Sequence, residues 1–120
     1  MTSEELQALI EEATFDYVTG DSAAALAKLG RATAEEPGSV EAWHALAEIH
    51  LSRRQLDLAL EAGERAHALR AGDPLIIATL SRTWMERGDK AKAEHYGAMA
   101  RVQGWKEELS RPSADAGGLH

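Results

Sequence analysis

The chain has 120 residues, 44% of them hydrophobic, and a formal net charge of −7 from 13 basic and 20 acidic side chains. A chain of this length makes one domain and hides roughly two-thirds of its unfolded surface on folding. The acidic balance, with a pI near 5.2, argues against a nucleic-acid surface and against docking on anionic lipid, both of which need clustered Lys and Arg. With no Cys, disulfide staples, thiolate nucleophiles and cysteine-ligated zinc are excluded. The acidic start Met1-Thr2-Ser3-Glu4-Glu5 has no secretory pattern, and no apolar run approaches the ~20 residues a bilayer span needs. The expectation is a soluble, cytoplasmic protein. Abundant Ala, with one Phe, two Tyr and three Trp, points to closely packed helices rather than strands.

In chain order, Thr2-Ser3-Glu4-Glu5 offers a capping box for a first helix that runs to about Val18 and stops at Gly20. A second helix is expected from about Ser22 to Glu35, ended by Pro37-Gly38. Ser39 can cap a third through Leu51, and the following turn, Ser52-Arg53-Arg54-Gln55, has no glycine to end on. A fourth helix spans about Leu56 to Leu69. Asp73-Pro74 then opens a fifth, with Asp as N-cap and Pro at the first helical position. That helix ends at Gly88, and a sixth runs from about Lys90 to Gln103, stopped by Gly104. Trp105 to Leu109 reads as a short seventh turn, and residues 112–120, without periodicity, as a flexible tail.

A shift of 34 residues superposes Ala25, Ala59 and Ala93, and likewise Ala32, Ala66 and Ala100. Gly20-Asp21 falls on Gly88-Asp89, with Arg54-Gln55 between them. Leu9, Trp43 and Ile77 share one register, and Ala13, Ala47 and Ser81 another. The repeats lie at about 6–37, 40–71 and 74–104, with 105–111 as a cap, so the helical domain is 1–111. Small residues at the shared positions let paired helices approach, where a larger side chain would overpack. A lone pair cannot bury both faces, so three stacked pairs and a cap are a sensible minimum.

The middle copy, Trp43-x-x-Leu46-Ala47-x-x-His50 followed by Ala59 and Ala66, resembles the tetratricopeptide repeat (TPR). The first copy adds Gly20-Asp21, Ala25, Ala32 and Pro37. The third adds Ile77, Leu80, Ser81, Trp84, Gly88-Asp89, Ala93 and Ala100. The resemblance covers about residues 6–103. It implies an all-α, right-handed α-solenoid of three antiparallel helix pairs with a short C-terminal capping helix. It also implies a non-enzymatic adaptor or scaffold that binds a peptide or helix of another protein in a concave groove.

By the same resemblance the groove is lined by Gln7, Ile10, Glu11, Thr14, Tyr17 and Val18 in the first copy. The second gives Glu41, His44, Ala45, Glu48, Leu51 and Ser52; the third gives Leu75, Ala78, Thr79, Arg82, Met85 and Glu86. Several carboxylates and one cation suit an amphipathic helix or an extended segment carrying Lys or Arg. Family members that clamp a chaperone's C-terminal carboxylate use Lys, Asn and Arg where this chain has Ile10, Thr14, Ala45, Leu75 and Thr79, so that ligand class is not expected.

Three departures leave alternatives open. Glu12 and Asp16 stand where the family prefers large apolar and aromatic residues. Either the first helix is rotated, with Phe15 and Tyr17 inward, or that side is the solvated end of the stack. Gly63 and Gly97 replace an aromatic, for close helix contact or for a wider groove. Trp105 and Leu109 either cover the outer face of the sixth helix or, with Val102 and Met99, form a self-association patch that supports a homodimer.

Glu41, His44 and Glu48 share one helical face, an arrangement that suits a solvated stripe, a metal site or a pH-sensitive contact. The solvated stripe is the expectation, with no metal and no cofactor. His50 turns toward the core, and His67 and His95 read as isolated surface or packing residues. No nucleophile elbow, P-loop or dinucleotide fingerprint is present, so catalysis is not expected.

Overall fold

The structure, a computed structural model, describes residues 1–111. Six α-helices follow one another in it: α1 (Ser3–Val18), α2 (Ser22–Glu35), α3 (Val40–Ser52), α4 (Leu56–Leu69), α5 (Pro74–Arg87) and α6 (Lys90–Ser110). The expected tail at 112–120 lies outside the described residues.

The helix starts are set by the side chains that the sequence offers as caps. Thr2 and Glu5 make both bonds of the capping box, 3.1 Å from the Glu5 amide to Thr2 Oγ1 and 2.8 Å from the Thr2 amide to Glu5 Oε1. Asp21, Ser39, Asp73 and Asp89 each accept a bond from a first-turn amide of α2, α3, α5 and α6. Only α4 begins without a side-chain cap, because the Gln55 carboxamide is turned instead to His50 Nδ1 at 2.9 Å. Within each pair, the turn between helices needs one left-handed residue. Gly20 (φ +96°) and Gly88 (φ +91°) supply it without strain, whereas the middle repeat forces Arg54 to φ +60°.

Packing follows the periodic small residues. Ala13, Ala25, Ala32, Ala47, Ala59, Ala66 and Ala93 are fully buried where paired helices meet, and Leu29, Ile76, Ile77 and Leu80 fill the spaces between them. α1 packs on α2, α3 on α4 and α5 on α6, while α2–α3 and α4–α5 join the pairs. The first helices of the pairs also touch one another, α1 on α3 and α3 on α5. The second helices diverge, and α4 and α6 meet through side chains, Tyr96 Oη donating to Glu64 Oε1 at 3.3 Å. Burial and the Glu64 carboxylate together push the Tyr96 phenol up. The stack therefore curves, α1, α3 and α5 on the concave side and α2, α4 and α6 on the convex side. Its radius of gyration, 16.6 Å, exceeds the roughly 13–14 Å of a compact globule of this length.

Two of the alternatives left open by the sequence resolve simply. α1 is not rotated: Leu9 and Ala13 are its buried residues, and Phe15 is 67% exposed. Glu12 and Asp16 face Lys28 of α2, at 3.8 and 2.6 Å. The bond to Asp16 holds the Lys28 ammonium above its usual pKa, against partial desolvation. Gly63 marks a close approach, since a Cβ there would stand 2.8 Å from Leu80 Cδ2; at Gly97 it would stand 3.3 Å from Ser81 Oγ.

The expected break at Gly104 does not occur. α6 continues through it to Ser110, so no separate seventh helix forms. Gly104 does not take a positive φ, and a glycine inside a helix costs only about 0.5–1 kcal/mol relative to Ala. Nor does the extension close the stack: Trp105 and Leu109 are 65% and 71% exposed.

Candidate functional site: the concave face

The concave face rests on the first-helix register, which repeats every 34 residues and carries His44 beside Thr79 across α3 and α5. The Thr79 hydroxyl donates to the Leu75 carbonyl at 3.0 Å, so its oxygen is free to accept from His44 Nε2–H, also at 3.0 Å. Glu48 Oε1 lies 3.0 Å from the same nitrogen. His44 is thus a strut between adjacent first helices, its Nε2 proton shared by two acceptors. Glu41 is not part of it, being turned to Arg70 Nη2 at 3.6 Å. Among the described residues no group of three His, Asp or Glu side chains stands close enough to hold a metal ion.

The other expected groove residues divide by depth. Thr79 and Leu51 are buried and form part of the floor; Ile10, Ala45 and Ala78 are half-buried. Gln7, Glu11, Thr14, Tyr17, Val18, Glu41, Glu48, Ser52, Leu75, Arg82, Met85 and Glu86 are exposed. Gln7 Nε2 bonds Glu11 Oε1 at 3.1 Å, and Thr14 Oγ1 bonds the Ile10 carbonyl at 3.0 Å. Glu86 is tied to Arg54 Nη1 at 2.7 Å.

The expected excess of carboxylates is smaller than the sequence suggested. Glu41, Glu48 and Glu86 each already have an arginine or histidine partner. Arg82 makes no ion pair among the described residues. With Leu51, Met85 and Glu86 it lines a hollow of about 250 Å³, open to the concave side, in which Met85 is 53% exposed. An apolar wall, an open cation and nearby acceptors can hold an apolar side chain that has a charged neighbour.

A second hollow was not anticipated. It measures about 330 Å³, lies between α5 and α6, and is walled by the apolar Ala71, Ile77, Ala98, Met99 and Val102 and by the polar His95, Gln103 and Lys106. The signal for it was present in the repeat alignment, where Ile77 takes the place that Trp43 holds one repeat earlier.

Six helices in three pairs, with first helices lining a concave face, fit three TPR repeats and define an α-solenoid of that class. The same fold recurs in TPR-like helical repeat proteins of known structure. A crystal structure of MamA superposes with a TM-score of 0.81 at 19% identity, covering 90% of this chain and 59% of that one. The type III secretion translocator chaperone SycD of Yersinia enterocolitica gives 0.81 at 19% identity, over 92% of this chain and 87% of that one. A chain of the CopN–Scc3 complex gives 0.81 at 22%, over 86% and 61%. The chain thus spans only about three-fifths of the MamA and CopN–Scc3 chains it matches. At these identities the likeness is one of fold. No protein-family model matches the sequence, and neither does any curated protein.

Proposed function

We propose that the protein is a non-enzymatic adaptor whose concave face binds a segment of another protein. The observation that carries this reading is the open hollow of Leu51, Met85, Arg82 and Glu86, an exposed apolar wall next to a cation with no partner among the described residues. Uncompensated apolar surface rimmed by charge is what a docking site leaves when its ligand is absent. Further along the same face Glu48 and Glu11 are exposed and accept only neutral or histidine partners. The ligand this face fits is an amphipathic segment that seats an apolar side chain on Met85, offers a carboxylate to Arg82 and places Lys or Arg near Glu48. Among the solved structures of this fold, one is described as a secretion chaperone and another as a complex, which agrees with a binding role.

The test is affinity capture from the native source with wild type, Met85→Glu and Glu48→Lys as parallel baits. Both positions are exposed, so the variants should keep the wild-type far-UV circular dichroism. A protein retained by wild type and lost with both variants supports the groove. Equal retention by all three baits removes it as the working surface.

A further inference from the structure

In the second repeat the Trp43 indole fills the space between its two helices. Its Nε1 donates to the Pro37 carbonyl at 2.8 Å, and the Arg65 guanidinium lies 5.4 Å from the ring centre. One repeat later these positions hold Ile77, Ala71 and Met99. The smaller Ile77 leaves the space open, and it becomes the 330 Å³ hollow between α5 and α6. The corresponding space in the first repeat, about 220 Å³ beside Leu9, is lined by Glu5, Glu12 and Arg31 and is therefore charged. The third-repeat hollow is the more apolar of the two, five of its walls being Ala71, Ile77, Ala98, Met99 and Val102, and it has the size to admit an aromatic side chain.

α6 also presents a side chain of that kind. Ala91, His95, Ala98, Val102, Trp105 and Leu109 follow one another at alternating spacings of four and three, the pattern of a seam between two packed helices. Val102, Trp105 and Leu109 stand out from this seam as exposed large apolar residues. At the register of Ala91, His95 and Ala98, α4 carries Asp57, Glu61 and Glu64, an ordinary solvated face, and at that of Val102 it carries Ala68; α2 carries Ala23, Ala27, Gly30 and Ala34, with nothing large to insert. Loss of charge together with gain of large apolar side chains is the compositional mark of an interface core.

The seam is close to palindromic about Val102. Ala98 lies four residues before it and Trp105 three after; His95 and Leu109 lie seven on either side. Two such helices laid antiparallel across Val102 set each Trp105 against the Ala98 of the other, large against small, directly over the hollow. An interface of this kind is isologous and closes at two copies.

We propose that α6 pairs antiparallel with α6 of a second copy about a twofold axis at Val102, each Trp105 indole entering the hollow beside Ile77 of its mate. A helix of 21 residues is about 30 Å long. Two of them in contact along that length bury on the order of 1,000 Å², the lower edge for a specific dimer. The dimer is therefore concentration-dependent. It leaves the concave face open, because α6 lies on the convex side.

The test combines sedimentation equilibrium with a cysteine placed on the axis. Wild type is expected to pass from 13.0 kDa toward twice that mass as concentration rises. Trp105→Glu should raise the dissociation constant at least tenfold while its monomer melts as wild type does, since the side chain is exposed. In a chain without other cysteines, Val102→Cys should form a disulfide-linked dimer on mild oxidation, because only a residue on the axis meets its own copy at bonding distance. Phe15→Cys, on the outer face of α1, should not. A wild type that stays at 13.0 kDa overturns the proposal, leaving the seam to a different partner. So does association that is indifferent to Trp105→Glu, or that crosslinks through Phe15→Cys instead, which would mean head-to-tail stacking.

Discussion

Leu80 of α5 occupies the volume that a side chain on Gly63 of α4 would need: a Cβ on that glycine would stand 2.8 Å from Leu80 Cδ2 and 3.8 Å from the Ala47 Cβ. Leu80 is fully buried and has little freedom to withdraw. Gly63→Ala should therefore destabilise by about 1–3 kcal/mol through overpacking, despite the better helix propensity of Ala. Adding Leu80→Val should recover part of that loss. Urea denaturation of both singles and the double gives the coupling, and strict additivity would show that the two residues do not compete for space.

Arg54 holds the left-handed conformation that its counterparts Gly20 and Gly88 reach without strain. A non-glycine residue there costs roughly 1–2 kcal/mol, whereas the exposed Arg54–Glu86 pair is worth about 0–1 kcal/mol. Strain is the larger of the two, so Arg54→Gly should raise the melting temperature by a few degrees. Glu86→Gln, which removes the pair and keeps the strain, should change it little or lower it slightly. A lower melting temperature for Arg54→Gly would mean that the ion pair outweighs the backbone.

Lys28 gives a pH signature with a defined sign. Its folded-state pKa is raised by the hydrogen bond to Asp16, above the ordinary lysine value of 10.5. The contribution is thus complete below pH 10.5 and is lost as pH rises through the folded-state value. Wild type should melt above Lys28→Met at pH 8, and the gap should narrow by pH 11. A gap constant across that range would show that the methylene stem of Lys28, rather than its charge, is what supports α1 on α2.

Gly104 lies inside α6, and apart from its chain neighbours and the helix's own backbone a Cβ there would meet no atom of the described residues within 4 Å. Gly104→Ala should add about 0.5–1 kcal/mol of stability with no steric penalty. Thermal melts monitored by circular dichroism check it. A loss would mean that the helix needs to bend there.

The sequence carried most of this fold, because each helix boundary rests on a local device: a capping side chain at Thr2, Asp21, Ser39, Asp73 and Asp89, and a left-handed glycine at Gly20 and Gly88. It misled where one residue type serves two purposes. Gly104 reads as a stop, but a glycine ends a helix only when it takes positive φ, which tertiary context decides. The groove was legible as a register and not as a surface. Thr79 and Leu51 sit at groove positions yet are buried, since neighbouring first helices close over them. The charge of the face was less legible still. Glu41 and Glu86 are neutralised by Arg70 and Arg54, which reach them from inter-helix turns whose course no local pattern reveals.

The junctions between repeats are built from unlike materials. First and second repeats share one apolar cluster, in which Leu9, Ala13 and Leu29 mix with Leu46, Ala47 and Ile49. Second and third are also laced by polar links: Arg54 to Glu86, Arg87 to Asp57 and Tyr96 to Glu64. In a chain of nearest-neighbour couplings, ionic strength therefore acts as a selective solvent for one seam. Concentrated salt should quicken amide exchange in α5 and α6 while α1 to α3 stay protected, so that the array frays from its C-terminal repeat. In dilute buffer the three repeats should open together.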